Sequence, residues 1–223
     1  MPRPLLYFLP GSPPARAVMM LADIIGLELD IKEIDFLKLE HKSEAFLKLN
    51  PMGTIPTLQD GDFVISESHT IMKYLLEKYG GDKREVLYPS DIRTRALIDQ
   101  CVFFETGVFF VRLKVVVLPA IFEGHPGPTP KHIADIEEAY GVVEAYLGNK
   151  PYLVGNHLTL ADLSLGATTT AMEVIHKVDP KRFPRVTNWV ARLQNEPFFK
   201  SINAEGVASF SEILNACWAK NRK

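Results

Sequence analysis

The hydrophobic pattern of this chain changes character near residue 80, and that change constrains the fold more than any single motif. Before it, short apolar runs alternate with helix-like stretches; after it, apolar residues recur almost only at helical spacing. A chain of 223 residues makes one large domain or two compact ones at the usual ~100–200 residues per domain. The switch of period favours two. Lys and Arg number 25 against 27 Asp and Glu, a net charge of −2, which is too balanced for a general binder of nucleic acid or anionic membrane. The expected partner is small or is another protein.

Residues 5–9 read as a strand ended by Pro10-Gly11, and Ser12-Pro13-Pro14 opens a helix carrying Val18, Leu21, Ile24 and Ile25, closed by Gly26. Residues 29–35 alternate as a second strand, which makes the first unit a βαβ crossover with parallel strands. A short amphipathic stretch covers residues 43–49. Two apolar runs, 55–59 and Phe63–Ser66, flank Asp60-Gly61, a hairpin signal, and Ser68–Tyr79 reads as a helix stopping at Gly80-Gly81. The polar segment that follows, with Asp82, Lys83, Arg84 and Glu85 in succession, reads as a link. The expected division is therefore a mixed domain over residues 1–81, a linker over 82–89 and an all-helical domain over 90–223. Helical runs are expected at 91–118, Pro130–Leu147, Leu160–Ile175 and 184–195, the first ended by Pro119.

Only two cysteines occur, Cys101 and Cys217, spaced for neither a disulfide framework nor a redox pair. No charged leader precedes Pro4, and the longest apolar run, 115–122, is interrupted by Pro119 and is far short of the ~20 residues of a membrane span. A soluble cytoplasmic protein is expected, with no membrane and no nucleic-acid partner.

Ser12 stands where a strand turns into a helix. It reads as an N-cap with Pro13 at the first helical position. A hydroxyl at a helix N-terminus can also donate to an anion, and the field there favours a bound thiolate over a thiol. Lowering a thiol by roughly two units from ~8.5 takes about 2.7 kcal/mol, within reach of one charge-assisted hydrogen bond and the helix field. Glu67-Ser68 opens another helix; as structure, Ser68 is a cap, and as a site the pair can hold the head group of an amino acid. Parallel strands send such loops to one edge of the sheet, so Ser12 and Ser68 can face one crevice.

Ile55-Pro56 opens a strand; with a cis bond there, the Ile55 backbone would be presented to a peptide ligand. His41 is either a solvated loop side chain or a carboxylate contact. His69, His125, His132, His157 and His176 lack metal-ligand spacing, and no metal is assigned. Thr159-Leu160-Ala161-Asp162 is a capping box with Leu158 and Leu163 as its staple, so Asp162→Ala should cost about 1 kcal/mol or more. Phe103, Phe104, Val108, Val111, Val115 and Leu118 form an apolar stripe, with Arg112 among them awaiting either a ligand or an ion-pair partner.

In combination, YFLPGSPPAR at residues 7–16, FLKLNPMGTIP at 46–56, ESHTIMKYLLEKY at 67–79, Leu87-Tyr88-Pro89 and LTLADL at 158–163 resemble the insect delta- and epsilon-class cytosolic glutathione S-transferases. YFLPGS is delta-like, whereas SPPAR and Ser68-His69 are epsilon-like, and the balance leans to epsilon. The resemblance implies an α/β thioredoxin-like N-terminal domain plus an all-α C-terminal helical bundle, a homodimer, glutathione as cosubstrate and a role in detoxification. By the same resemblance, Ser12 stabilises the glutathione thiolate, Ile55 before cis Pro56 pairs with the cysteinyl part, and Glu67 and Ser68 hold the γ-glutamyl end. His41 reaches the glycyl carboxylate, Gly53, Thr54 and His69 fall in the glutathione-facing set, and Arg112 lies where the two sites meet. Leu9, Pro13, Val108, Val111, Val115, Val207 and Phe210 would line the apolar substrate pocket, mostly aliphatic in character.

Gly53 departs from the family, many of whose members have a histidine there. One other function stays open at this point, and a second is set aside. A non-catalytic carrier could use the same fold. A glutaredoxin-like thiol oxidoreductase would need a cysteine where Ser12 stands. Peroxidase or isomerase side activity would follow from the same thiolate.

Overall fold

A computed structural model describes residues 2–223. Strands β1 (Leu5–Phe8), β2 (Asp30–Glu33), β3 (Thr57–Asp60) and β4 (Phe63–Ser66) form one sheet in the order β2-β1-β3-β4. The crossover through α1 (Pro13–Ile25) makes β1 and β2 parallel, while β3 runs antiparallel to both β1 and β4. The expected hairpin forms with Asp60 opposite Phe63 and Gly61 at φ 66° in the turn. Alternation along β1 decides the layers: Leu6 joins the core under α1 and α3 (Ser68–Tyr79), and Tyr7 faces the other way onto Phe46 of α2 (Glu44–Leu49).

The rest is helical: α4 (Asp82–Leu87), α5 (Ile92–Phe104), α6 (Phe110–Phe122), α7 (Pro130–Leu147), α8 (Leu160–Ile175), α9 (Pro184–Leu193) and α10 (Ala204–Asn221). Three expectations change here. Residues 82–89 do not form an open linker, because α4 occupies Asp82–Leu87, and Leu87 and Tyr88 are buried. Pro119 does not end a helix; α6 continues to Phe122, and the carbonyl that the proline leaves without a donor belongs to exposed Val115. Helix α10, absent from the expected helices, follows a π-helical turn at Phe199–Asn203 and starts without a side-chain cap, so its opening carries no local signal.

Helix α8 is the centre of the second domain, with every residue from Leu160 to Met172 buried. Its N-terminus is the expected capping box, and Asp162 does more than cap. Fully buried, it accepts from the Thr159 N–H (2.9 Å) and hydroxyl (3.0 Å), the Leu153 N–H (2.9 Å) and the Trp189 indole (2.9 Å). One continuous core runs from Leu6 and Leu58 in the sheet through α1 to α8 and Trp189.

Candidate functional site

Topology gathers the candidate residues. Because β4 is parallel to β1, the chain leaves both strands at the same sheet edge; β2 ends there too, and antiparallel β3 begins there. Ser12 follows β1, His41 follows β2, Ile55 precedes β3 and Glu67 follows β4. The expected convergence of Ser12 and Ser68 on one sheet edge is thus a consequence of strand direction.

Ser12 is the N-cap of α1, in extended backbone at φ −81° and ψ 114°. Its oxygen lies 3.5 Å from the Ala15 N–H, a weak cap, and its own proton has no acceptor among the described residues. The donor therefore remains available beside the positive end of a 13-residue helix. Ser12, Leu9, Pro13, His41, Gly53, Thr54, Ile55 and Phe210 line one cavity of about 660 Å³ between the sheet edge and α6 and α10. The Ile55–Pro56 bond is cis, and sheet pairing begins only at Thr57, which leaves Ile55 on the cavity wall outside the ladder.

His41 is buried and stacked on Phe36 at 4.4 Å, and its Nδ1 has no partner among the described residues. Burial first and the neighbouring Lys42 charge second hold its pKa below the ordinary value, so it is a neutral ring. Gly53 has φ 56°, and a Cβ there would lie 2.6 Å from the His41 carbonyl oxygen, so this backbone excludes a side chain of any kind. Lys42 Nζ instead donates to the Met52 (2.9 Å) and Gly53 (2.7 Å) carbonyls. Asn50, whose contribution the sequence reading missed, holds this loop by donating to Thr54 O (2.9 Å), Thr54 Oγ1 (3.1 Å) and Thr57 Oγ1 (3.0 Å). An Asn before Pro51 was the available signal.

Glu67 and Ser68 share the sheet edge without lining the cavity. The cap of α3 is Glu67 rather than Ser68; its backbone sits at φ 69° and ψ 109°, a strained conformation of the kind that gathers at sites. His69 turns toward the helical domain. Its Nε2 lies 2.6 Å from Ser164 Oγ and 3.5 Å from Glu105 Oε2, and its Nδ1 lies 3.0 Å from Thr106 Oγ1, which leaves neither ring nitrogen free for a ligand. Glu105, missed by the sequence reading, is buried and accepts from the Thr168 hydroxyl at 2.6 Å. Burial pulls His69 down to about 4 and pushes Glu105 up to about 7.

The cavity wall corrects the expected pocket. Val108, Val111 and Val115 do not line it and are 37%, 37% and 44% exposed; Phe110, Leu113, Val117 and Ile121 line it instead. A π-helical turn at Glu105–Phe109, with one extra residue, offsets everything after it by about 100° relative to an uninterrupted helix, which takes Val111 and Val115 off the half-buried face of Phe104. Val207 is half-buried away from the cavity, whereas Phe210, Ile213 and Leu214 of α10 line it. The wall is also more aromatic than expected, with Phe36, Phe110, Phe122 and Phe210. Phe36 and Phe122 meet at 5.5 Å and join the two domains across it. Arg112 faces Glu138 at 3.4 Å and does not line the cavity, so of its two readings the ion pair is the one formed.

Cys101 and Cys217 are unpaired, and burial pushes the Cys101 thiol up to about 12, which removes it as a nucleophile. No described helix is long and apolar enough to cross a membrane, and the described residues contain no His, Cys, Asp and Glu group able to hold a metal.

A four-stranded mixed sheet with a cis-proline loop, joined to a helical bundle across an apolar cavity, defines a two-domain protein of thioredoxin-like and all-α halves. Residues 6–83 match the glutathione S-transferase N-terminal domain and residues 109–192 the C-terminal domain. The chain is 37% identical to glutathione S-transferase D7 of Anopheles gambiae over 96% of its length and 97% of that protein's. It is 34% identical to glutathione S-transferase 1 of Manduca sexta, over 90% and 92%. Among solved structures, an epsilon-class glutathione S-transferase from the housefly Musca domestica superposes with TM-score 0.93 at 35% identity, covering 96% and 98% of the two chains. A glutathione transferase homologue from Drosophila mojavensis with bound glutathione gives 0.92 at 37%, covering 97% and 98%. The chain belongs to the insect delta/epsilon-class glutathione S-transferases and is a glutathione transferase.

Proposed function

We propose that Ser12 is the catalytic residue, holding the sulfur of glutathione as a thiolate, and that the apolar cavity receives the electrophile, including apolar xenobiotics whose detoxification this conjugation accomplishes. The observation that carries the reading is the free Ser12 hydroxyl at the N-terminus of α1, on the wall of an apolar cavity. When bound, glutathione supplies the nucleophilic sulfur. The residues present fit it: His41 offers a buried ring nitrogen lacking a partner, Ile55 a backbone outside the sheet, and Glu67 a carboxylate at a helix start. Ser12 donates its proton to the sulfur and the α1 field stabilises the charge there, while His41, Ile55, Glu67 and Ser68 orient the peptide. Phe36, Phe110 and Phe210 exclude water and offer ring faces to a flat electrophile as readily as an alkyl one.

Ser12→Ala is expected to lower kcat/KM for a model aromatic electrophile by about 10²-fold, from roughly 2.7 kcal/mol of lost thiolate stabilisation, with an unchanged thermal midpoint. Wild-type turnover in a folded Ser12→Ala protein would remove Ser12 from the reaction.

The homodimer belongs to the same proposal. Ile92, Leu97 and Phe103 on α5 are 80%, 52% and 73% exposed, an apolar set that supports a second copy packing there. Sedimentation at micromolar concentration should give a dimer, and Phe103→Glu should shift it toward monomer. The unpaired cysteines support a reducing, cytoplasmic location.

A further inference from the structure

Arg16 is fully buried in α1, yet no carboxylate reaches it. All its partners are neutral: Nε donates to Asn203 Oδ1 at 2.8 Å, Nη1 to the carbonyls of Pro10 (3.2 Å) and Gly11 (2.9 Å), and Nη2 to the carbonyl of Ala167 (3.1 Å). Buried charges are ordinarily paired, so an uncompensated guanidinium is the exception that needs a reason. Burial draws its pKa down only to about 9, which leaves it charged at neutral pH.

Its surroundings are arranged to keep it. A Cβ on Gly206 would fall 2.2 Å from Arg16 Cδ and 2.5 Å from the Pro10 carbonyl oxygen, so α10 can pass only as glycine. Asn203 closes the π-helical turn Phe199–Asn203 and is itself fixed by its Nδ2 donating to Thr170 Oγ1 at 2.9 Å. The Gly11 carbonyl is part of the peptide group whose nitrogen is that of Ser12. Through it the guanidinium grips the turn that presents the Ser12 hydroxyl.

We propose that Arg16 is a positioning residue for the reaction: it fixes the Pro10-Gly11-Ser12 turn from the helical domain and adds an uncompensated positive charge behind the place where the sulfur becomes anionic. This rests on the reading that Ser12 holds a glutathione thiolate. A group serving only to join two domains would work equally well with its charge cancelled, and that separates the two roles. The discriminating variant is Asn203→Asp, which keeps size and the acceptor for Arg16 Nε, replaces the Nδ2 donor to Thr170 by an acceptor that the Thr170 hydroxyl can turn to, and sets a carboxylate against the guanidinium.

The test titrates the ultraviolet thiolate absorbance of the glutathione complex against pH in wild type, Asn203→Asp, Arg16→Lys and Arg16→Met, beside the acid limb of kcat/KM. In Asn203→Asp and Arg16→Met the thiol pKa should rise by about half a unit or more, a roughly threefold loss of thiolate at pH values below it. Arg16→Lys keeps the charge and loses the fork, so its thiol pKa should stay near wild type while kcat falls. A wild-type thiol pKa in folded Asn203→Asp, or in Arg16→Met should Asn203→Asp not fold, overturns the proposal. A wild-type titration that survives Ser12→Ala overturns instead the reading beneath it.

Discussion

Asp162→Ala is expected to lower the free energy of unfolding by about 4 kcal/mol or more, because it leaves several buried donors unsatisfied at about 1–3 kcal/mol each. The four donors, from Thr159, Leu153 and Trp189, come from the start of α8, the preceding loop and α9, so one carboxylate joins three segments. Burial raises its pKa, and the four donors oppose that rise. The loss far exceeds that of a surface cap, typically about 1 kcal/mol. Against a typical total stability of about 5–15 kcal/mol it leaves little margin. Urea denaturation measures it, with Asp162→Asn losing less because its shape and one acceptor oxygen remain. A loss under about 1 kcal/mol would mean that the four bonds do not act together.

Glu105→Gln is expected to make stability steeply pH-dependent where the wild type is nearly flat. The folded pKa of His69 is about 4, below the 6.5 of the free side chain, so its contribution is lost as pH falls from about 6.5 to about 4. For Glu105 the folded value is about 7 against 4.5, so its contribution is lost as pH rises from about 4.5 to about 7. Between about 4.5 and 6.5 the two slopes oppose and nearly cancel. Glutamine can still accept from Thr168 but does not titrate, which leaves the histidine slope alone. The variant should gain on the wild type with rising pH, by up to about 3 kcal/mol above pH 7. Thermal midpoints of both proteins from pH 4.5 to 7.5 measure the divergence, and parallel curves would contradict it.

Local signals were legible in the sequence. The βαβ unit, the Asp60-Gly61 hairpin, the helix Ser68–Tyr79 and the α8 capping box each depend on a few adjacent residues, and each appears in the structure. That Ser12 and Ser68 share one sheet edge was legible too, since strand direction sets which loops meet there, but the lining of the cavity was not: His41 and Ile55 line it with Ser12, and Ser68 does not. Features that depend on phase over a long helix were not. The apolar stripe through Val108, Val111 and Val115 was read at one period across the extra residue at Glu105–Phe109, and Val111 and Val115 beyond it came out exposed. Arg16 and Glu105 escaped because a charged residue in an apolar pattern does not disclose partners such as Asn203, 187 positions away.

The π-helical turn has a consequence for how such a protein changes over generations. Gly107 within it is exposed, with nothing within 4 Å of where a Cβ would stand, so the turn can lose a residue without a packing penalty at that point. Removing one residue would restore an unbroken α-helix without turning α6, because the Phe110 N–H already reaches the Glu105 carbonyl across the wider turn, in the place that the preceding residue would take in an α-helix. Phe110, Leu113 and Val117 would stay on the cavity wall, and Val111 and Val115 would stay exposed. A single-codon loss there thus shortens the chain while every wall residue on α6, like Ser12 and its turn, stays where it is.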